Sequence, residues 1–189
     1  MKKTLTMTLL ATATVLLLAS CKEKKAEDNG IIKTDYEAPK PTDPKTTSIG
    51  TVSQEVEWVE GRHYYITING KADSTLAMVE NDYGQKFIDN AIRLDITRQD
   101  STIFFTRTFT KEAFVEWLNR DYRERAILAS MSFFDVEDDL LTFIVSLNHP
   151  EAGEDESVDL QMQIDRHGGI TVKPFTYNDR DDLDVRNQE

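Results

Sequence analysis

Alternation of apolar and polar residues with a period of two narrows the choice of fold for this chain more than any other feature. In residues 92–97, isoleucine and leucine alternate with arginine, aspartate and threonine. Successive side chains of a β-strand point to opposite faces, so this pattern predicts a strand with one buried face. The pattern recurs in four other segments: Val56 and Trp58; Tyr64, Ile66 and Ile68; Leu141, Phe143, Val145 and Leu147; Val158, Leu160, Met162 and Ile164.

Short glycine-containing segments separate these runs and predict hairpin turns. Glycine, asparagine and aspartate tolerate the positive φ angles that tight turns require. Four such segments stand between apolar runs: Glu60-Gly61, Asn69-Gly70, Asp82-Tyr83-Gly84 and His167-Gly168-Gly169. One apolar face per strand together with hairpin turns favours an antiparallel sheet.

One segment has helical periodicity instead. Phe114, Trp117, Leu118 and Tyr122 recur at spacings of three and four residues, behind a possible capping residue at Thr110. Such spacing forms one apolar stripe on an α-helix, and it predicts a helix from about Lys111 to Ala129. The expected fold class is therefore α+β: a mostly antiparallel sheet of about eight strands with one main α-helix packed on it.

The N-terminus has the layout of a bacterial lipoprotein signal. A basic start, Met1-Lys2-Lys3, precedes the apolar run Leu5–Leu18, and Leu18-Ala19-Ser20 leads into Cys21, the only cysteine in the chain. The run is shorter than the roughly 20 residues that span a bilayer, so we expect a cleaved signal peptide. Lipidation is expected at Cys21, which would attach the protein to a membrane.

Composition divides the rest of the chain into three parts. Three of the five prolines lie in residues 38–45, and few apolar residues surround them. The predicted organisation is a signal peptide (1–20), a lipidated, Pro/Lys-rich flexible tether (21–50), one globular domain (51–177) and an acidic disordered tail (178–189).

Charge limits the partners and the location. The formal net charge is −12, and nucleic-acid binding requires a basic face, so no nucleic-acid partner is expected. The residue after the lipid attachment site is Lys22 and not aspartate, which argues against retention in an inner membrane. We expect an outer-membrane lipoprotein, either surface-exposed or facing the periplasm.

No motif in the sequence names a reaction or a cofactor. The three histidines lack ligand spacing, no serine lies in a Gly-x-Ser-x-Gly turn, and no glycine-rich phosphate loop follows a predicted strand. One carboxylate-rich loop contains four weak candidates for calcium binding, Glu154, Asp155, Glu156 and Asp159. The alternative is that this loop is simply solvated. Because no catalytic motif is present in the sequence, the chain is more consistent with a binding protein than with an enzyme.

Aromatic residues offer a possible platform for stacking on a ligand, because their rings combine apolar faces with polar tips. Trp58 and Tyr64 fall on predicted core positions. Tyr65 and Tyr83 are expected to be exposed, and they are the candidates for ligand stacking.

Three short segments resemble an uncharacterised family of Bacteroidetes lipoproteins defined by a domain of unknown function. They are residues 81–90 (NDYGQKFIDN), residues 107–111 (RTFTK) and Gly168-Gly169-Ile170. The resemblance implies a cell-envelope location and a small β-rich domain over residues 52–176, and it implies no catalytic residues. The expected function is a lipid-anchored binding or interaction module for an unknown protein or glycan. The alternatives are a surface glycan- or peptide-binding protein and an envelope enzyme or inhibitor whose site is not visible in the sequence.

Overall fold

β-Strands dominate the computed structural model, which describes residues 42–47, 49–151 and 156–176. The strands, in chain order, are β1 (Lys45–Thr46), β2 (Gly50–Trp58), β3 (Arg62–Ala72), β4 (Val79–Glu80), β5 (Lys86–Ile88), β6 (Asn90–Arg98), β7 (Ile103–Phe109), β8 (Ile127–Glu137), β9 (Leu140–Asn148), β10 (Ser157–Ile164) and β11 (Ile170–Pro174). A 3-10 helix, Lys111–Trp117, and a short α-helix, α1 (Arg120–Arg125), lie between β7 and β8.

The long strands form two antiparallel four-stranded sheets. The first sheet has the order β2-β3-β6-β7 and the second has the order β11-β10-β9-β8. All five strands predicted from alternation are present in these sheets. A third, small sheet has the order β1-β5-β4, in which β1 runs parallel to β5.

One hydrophobic core lies between the two large sheets. Ile92, Leu94 and Ile96 of the first sheet and Leu141, Phe143 and Val145 of the second are all 0% exposed and belong to one cluster. The residues predicted to face inward therefore do so, and Trp58 and Tyr64 are buried with them, as expected. The architecture is a β-sandwich, stabilised mainly by removal of these side chains from water.

The predicted fold class, α+β with one main helix, is wrong. Leu118 adopts extended angles (φ −95°, ψ 137°), Asn119 caps α1 by accepting a hydrogen bond from the Tyr122 amide, and Ala126 is extended again. Residues from Ile127 onward then pair with β9 as strand β8. The apolar spacing is real, since Phe114 and Leu118 are buried, but two short helical turns achieve that burial in place of one long helix.

The prediction of a turn at Asn69-Gly70 is also wrong, because both residues lie inside β3. Glycine is needed there because a Cβ atom at position 70 would lie 2.5 Å from the Cβ of Ile49. The predicted turns at Glu60-Gly61, Asp82-Tyr83-Gly84 and His167-Gly168-Gly169 are confirmed.

Part of the predicted tether packs on the domain. β1 pairs with β5, and the amide and hydroxyl of Thr42 donate to Oε1 of the buried Gln85 at 3.1 and 2.8 Å. The segment 42–47 is thus held against the β4–β5 hairpin. Among the described residues, no helix is long and apolar enough to cross a membrane.

Candidate functional site

A cleft of about 200 Å³ opens beside the β4–β5 hairpin, next to α1 and the end of β9. We call it the Tyr83 cleft. Its walls are formed by Glu80, Asn81, Asp82, Tyr83, Arg125, His149, Pro150, Glu151 and Glu156. Three separate stretches of the chain therefore meet in it.

The hairpin turn holds Tyr83 at the edge of the cleft. The Oδ1 atom of Asn81 accepts hydrogen bonds from the amides of Tyr83 (3.0 Å) and Gln85 (2.9 Å), and Gly84 supplies a positive φ of 76°. An asparagine that bonds the backbone two residues ahead stabilises such a turn. The Tyr83 ring is consequently presented to solvent on an ordered backbone, with 57% of the residue exposed.

The same asparagine connects the hairpin to the end of β9. Asn81 Nδ2 donates to Glu151 Oε2 at 3.0 Å, and Lys45 Nζ donates to the other oxygen of Glu151 at 2.6 Å. The carboxylate of Glu151, which follows β9, thus connects the β4–β5 hairpin to β1.

Ion pairs connect the hairpin to α1 on the opposite wall. The guanidinium of Arg125 lies 2.5 Å from Asp82 Oδ1 and 3.5 Å from Asp121 Oδ1. The second oxygen of Asp121 lies 2.9 Å from His149 Nε2. Arg125 therefore bridges two acidic residues, and one of them, Asp121, also lies beside His149.

Tyr122 forms the support behind His149. Its ring packs against the imidazole at a centroid distance of 4.6 Å and an interplanar angle of 30°, and its hydroxyl donates to the backbone carbonyl of Glu156 at 2.8 Å. Burial raises the pKa of Tyr122, and the charges of Glu156 and Asp121 raise it further. The phenol therefore stays protonated and remains a hydrogen-bond donor.

The cleft combines acidic and aromatic character. Four carboxylates line it, against one guanidinium and one imidazole, and the Tyr83 ring stands at its edge. Carboxylates accept hydrogen bonds from hydroxyl and ammonium groups, and an exposed aromatic ring offers a face for apolar C–H surfaces. The arrangement is suited to a polyhydroxylated or cationic ligand.

Tyr65 and Tyr83 are both exposed, as predicted, but they do not form one platform. Tyr65 lies in β3 on the outer face of the first sheet, opposite Glu55 and Thr97 in the register, and it does not line the cleft. Of the two stacking candidates, Tyr83 is the one that lines this cleft.

The predicted calcium ligands separate into two groups. Glu154 and Asp155 lie outside the described residues. Glu156 lines the Tyr83 cleft, and Asp159 lies in β10, where it accepts a hydrogen bond from the Ser157 hydroxyl at 3.0 Å. Within the described ranges, no group of three or more histidine, cysteine, aspartate or glutamate residues is arranged to hold a metal ion. Cys21, the predicted lipidation site, is also outside the described residues.

Several residues of the cleft were not predicted from the sequence. Arg125 and His149 are far from Tyr83 in the chain, and His149 lacks any partner at ligand spacing in the sequence. The one local signal was the turn sequence Asn81-Asp82-Tyr83-Gly84, which marks the edge of the cleft.

Two stacked antiparallel sheets with an open, charged cleft define an all-β sandwich domain. A model of the family described as Domain of unknown function (DUF4738) matches residues 31–172, and the chain therefore belongs to this family. The predicted membership of a family defined by a domain of unknown function is thus confirmed. No curated protein matches the chain.

Proposed function

We propose that this protein is a lipid-anchored cell-envelope protein whose β-sandwich binds a glycan in the Tyr83 cleft without transforming it. The observation that carries the proposal is the exposed Tyr83 ring, held by an ordered turn at the edge of a carboxylate-lined cleft. Sugar rings present both features that this surface complements, an apolar C–H face and a set of hydroxyl donors.

The walls of the cleft support binding because their polar groups are already positioned. Asn81, Glu151 and Arg125 each make at least two contacts within the protein. A ligand that binds there does not have to order these side chains, and this preorganisation lowers the entropic cost of association.

The N-terminal sequence supports the envelope location. A basic start, an apolar run and Leu18-Ala19-Ser20-Cys21 form a lipoprotein signal, and the resemblance to Bacteroidetes lipoproteins implies the same compartment. We propose that Cys21 carries the lipid and that the domain stands at the outer membrane.

Replacing Tyr83 with alanine is expected to weaken glycan binding about tenfold or more, because it removes the stacking face. The matched control is Tyr65→Ala, which removes the other exposed tyrosine from the outer face of the first sheet. The membrane-extracted protein in detergent would be screened on an array of neutral and acidic oligosaccharides. The affinity of each variant for the best oligosaccharide would then be measured by calorimetry.

Equal losses in the two variants would contradict a site at Tyr83. Mass spectrometry of the recovered oligosaccharide distinguishes binding from catalysis, since an enzyme would return a changed molecule. Failure of every oligosaccharide to bind would remove the glycan proposal, and a panel of basic peptides would test the peptide-binding alternative.

A Cys21→Ala variant is expected to leave the membrane fraction, because lipid chains at this residue would supply the anchoring energy of about 0.8 kcal/mol per buried methylene. Fractionation of cells followed by immunoblotting measures the effect, with Cys21→Ser as a second substitution that also cannot be lipidated in this way. Membrane association of both variants at the wild-type level would overturn the anchor.

Protease added to intact cells distinguishes the two possible orientations. Digestion of the domain on intact cells would support the outer leaflet, and protection until lysis would support the periplasmic side.

A further inference from the structure

A second cavity, of about 370 Å³, lies at one end of the first sheet. The β2–β3 and β6–β7 hairpins meet there, because Tyr64 pairs with Arg98 in the register. We call it the Arg98 cavity. Its lining residues are Arg62, His63, Tyr64, Arg98, Gln99 and Asp100. Its volume falls within the range of small-molecule sites.

Contacts within the domain hold Arg98 in place but leave some of its guanidinium N–H groups without an acceptor among the described residues. Its guanidinium lies over the Phe104 ring, 5.3 Å from the centroid, and Nη1 donates to Ile103 O at 3.1 Å and to Thr102 Oγ1 at 3.3 Å. In the part of the chain that the structure describes, no carboxylate forms an ion pair with it. An arginine has five N–H donors, so the remaining ones are available to a ligand in the cavity.

The second guanidinium is only weakly engaged. Arg62 pairs with Glu60 in a pair whose side chains are 61% and 76% exposed. Exposed pairs of this kind contribute about 1 kcal/mol or less, so a ligand anion can compete with Glu60 for Arg62. His63 is tied to Glu55 through Nδ1 at 2.8 Å.

The one carboxylate on the cavity wall is occupied within its own loop. Asp100 accepts hydrogen bonds from the amide of Thr102 (3.0 Å) and from its hydroxyl (2.6 Å); these bonds, and to a smaller extent the charge of Arg98, hold the pKa of Asp100 below its usual range. The lining thus carries two guanidinium groups and one carboxylate, an excess of positive charge in a chain of net charge −12.

Tyr64 adds a polar group to this wall. The residue is 4% exposed, and its ring packs edge-on against Trp58 and Phe104 at centroid distances of 5.0 and 5.9 Å. No hydrogen bond joins its hydroxyl to another described residue. The hydroxyl is not one of the buried side-chain atoms that lack a partner, so it is accessible and can donate to a ligand atom in the cavity.

We propose that the Arg98 cavity binds an oxyanion, the carboxylate or phosphate group of a small ligand. Guanidinium groups recognise both anions through paired N–H donors, and Arg98 is the principal contact. This site is separate from the Tyr83 cleft, so the proposal does not depend on glycan binding there.

Two anions and one neutral molecule test the proposal. Inorganic phosphate, glucuronate and glucose would be titrated into the membrane-extracted protein in detergent, with calorimetry to measure affinity. Glucuronate differs from glucose by its carboxylate, so this pair isolates the anionic group. We expect saturable binding of at least one anion and none of glucose; phosphate alone or glucuronate alone would identify the source of the oxyanion.

Tryptophan emission locates the binding site. The chain has two tryptophans, Trp58 and Trp117, so a Trp117→Phe variant leaves only Trp58, which packs against Tyr64. Occupation of the Arg98 cavity is expected to change the emission of Trp58 with the same dissociation constant as calorimetry gives.

Arg98→Gln should weaken anion binding at least tenfold, the usual effect of losing a charge-assisted hydrogen bond. Arg98→Lys retains the charge without the planar donor group and should fall between Arg98→Gln and the wild type. The matched control is Arg107→Gln, since Arg107 lies over the Phe109 ring at the same 5.3 Å but outside the cavity. It should change the affinity less than twofold.

The proposal is overturned if neither anion binds up to about 10 mM, a range that covers weak ligands. It is also overturned if glucose binds as well as glucuronate, or if Arg107→Gln weakens binding as much as Arg98→Gln does. Circular dichroism of each variant shows whether it is folded. Should Arg98→Gln unfold the domain, Arg98→Lys decides the outcome by itself.

Discussion

Replacing Asp89 with alanine is expected to lower the free energy of unfolding by about 3–5 kcal/mol, because it removes one partner of a buried charged network. Asp89 is 3% exposed and lies between β5 and β6. Its Oδ1 atom accepts hydrogen bonds from the amides of Asn90 (2.7 Å) and Leu128 (2.9 Å). The second of these bonds ties the start of the first sheet to β8 of the second sheet.

The alanine variant would also leave a buried ammonium group without its carboxylate. Lys111 Nζ lies 3.8 Å from Asp89 Oδ2 and donates to the carbonyl of Ala126 at 2.7 Å. With Asp89 absent, only that carbonyl would compensate the charge of Lys111, and the Leu128 amide would lose its acceptor. Urea denaturation followed by circular dichroism measures the loss.

Asp89→Asn is the control that separates hydrogen bonding from charge. An asparagine oxygen can still accept from both amides, so this variant should lose less stability than Asp89→Ala. A loss below about 1 kcal/mol for Asp89→Ala, the size expected of an ordinary surface site, would contradict a structural role for the network.

The difference in stability between the wild type and Asp89→Asn should depend on pH. Burial raises the pKa of Asp89, against the opposing effects of the Leu128 and Asn90 amides and of Lys111. The folded protein therefore keeps this proton at pH values at which the unfolded chain has lost it. The contribution of Asp89 to stability is largest below the unfolded pKa of about 4 and falls as the pH rises through the raised pKa. The stability difference, wild type minus Asp89→Asn, should shrink as the pH increases from acid to neutral, and a difference that grows would contradict this assignment.

Leu94→Ala should lower the free energy of unfolding by about 3–4 kcal/mol, because it leaves a cavity in the middle of the sandwich. Leu94 is 0% exposed. In the register it lies in one cross-strand row with Ile68 of β3 and Val52 of β2, and all three side chains share the inner face of the sheet.

Val52→Ala is the matched control for Leu94→Ala. Val52 lies on the edge strand β2 and is 59% exposed, so its truncation should change the stability by about 0.5 kcal/mol or less. Thermal and urea denaturation of both variants provides the measurement. Similar losses at the two positions would mean that the second sheet does not cover the first in the way that the structure shows.

This pair of residues also shows how far the sequence can predict burial. Val52 and Leu94 are both apolar residues on the inner face of their strands. Nothing local distinguishes them, because alternation reports only which face a side chain occupies. The extent of the opposing sheet decides that Leu94 is enclosed and that Val52 remains exposed.

Helical periodicity predicted the local structure less well than strand alternation did, because contacts with distant segments again decided the outcome. Phe114, Leu118 and Tyr122 have the spacing of a helix stripe, but Ile127 and Leu128 pair with β9. Backbone hydrogen bonds to a neighbouring strand outweigh a modest local preference for helix. Which preference prevails depends on the presence of β9, which a local pattern does not contain.

The sequence by itself determined the five alternating strands, three of the hairpin turns and the inner-face positions of Trp58 and Tyr64, because these features depend on neighbouring residues in the chain. Tertiary structure alone decided the replacement of the long helix by β8, and the need for glycine at position 70 beside Ile49. It also decided which polar residues meet: Tyr83 with Arg125 and His149 in one cleft, and Arg62 with Arg98 in the other. The physical reason is that side-chain alternation is a property of the local backbone, whereas ion pairing and enclosure depend on segments that only folding brings together.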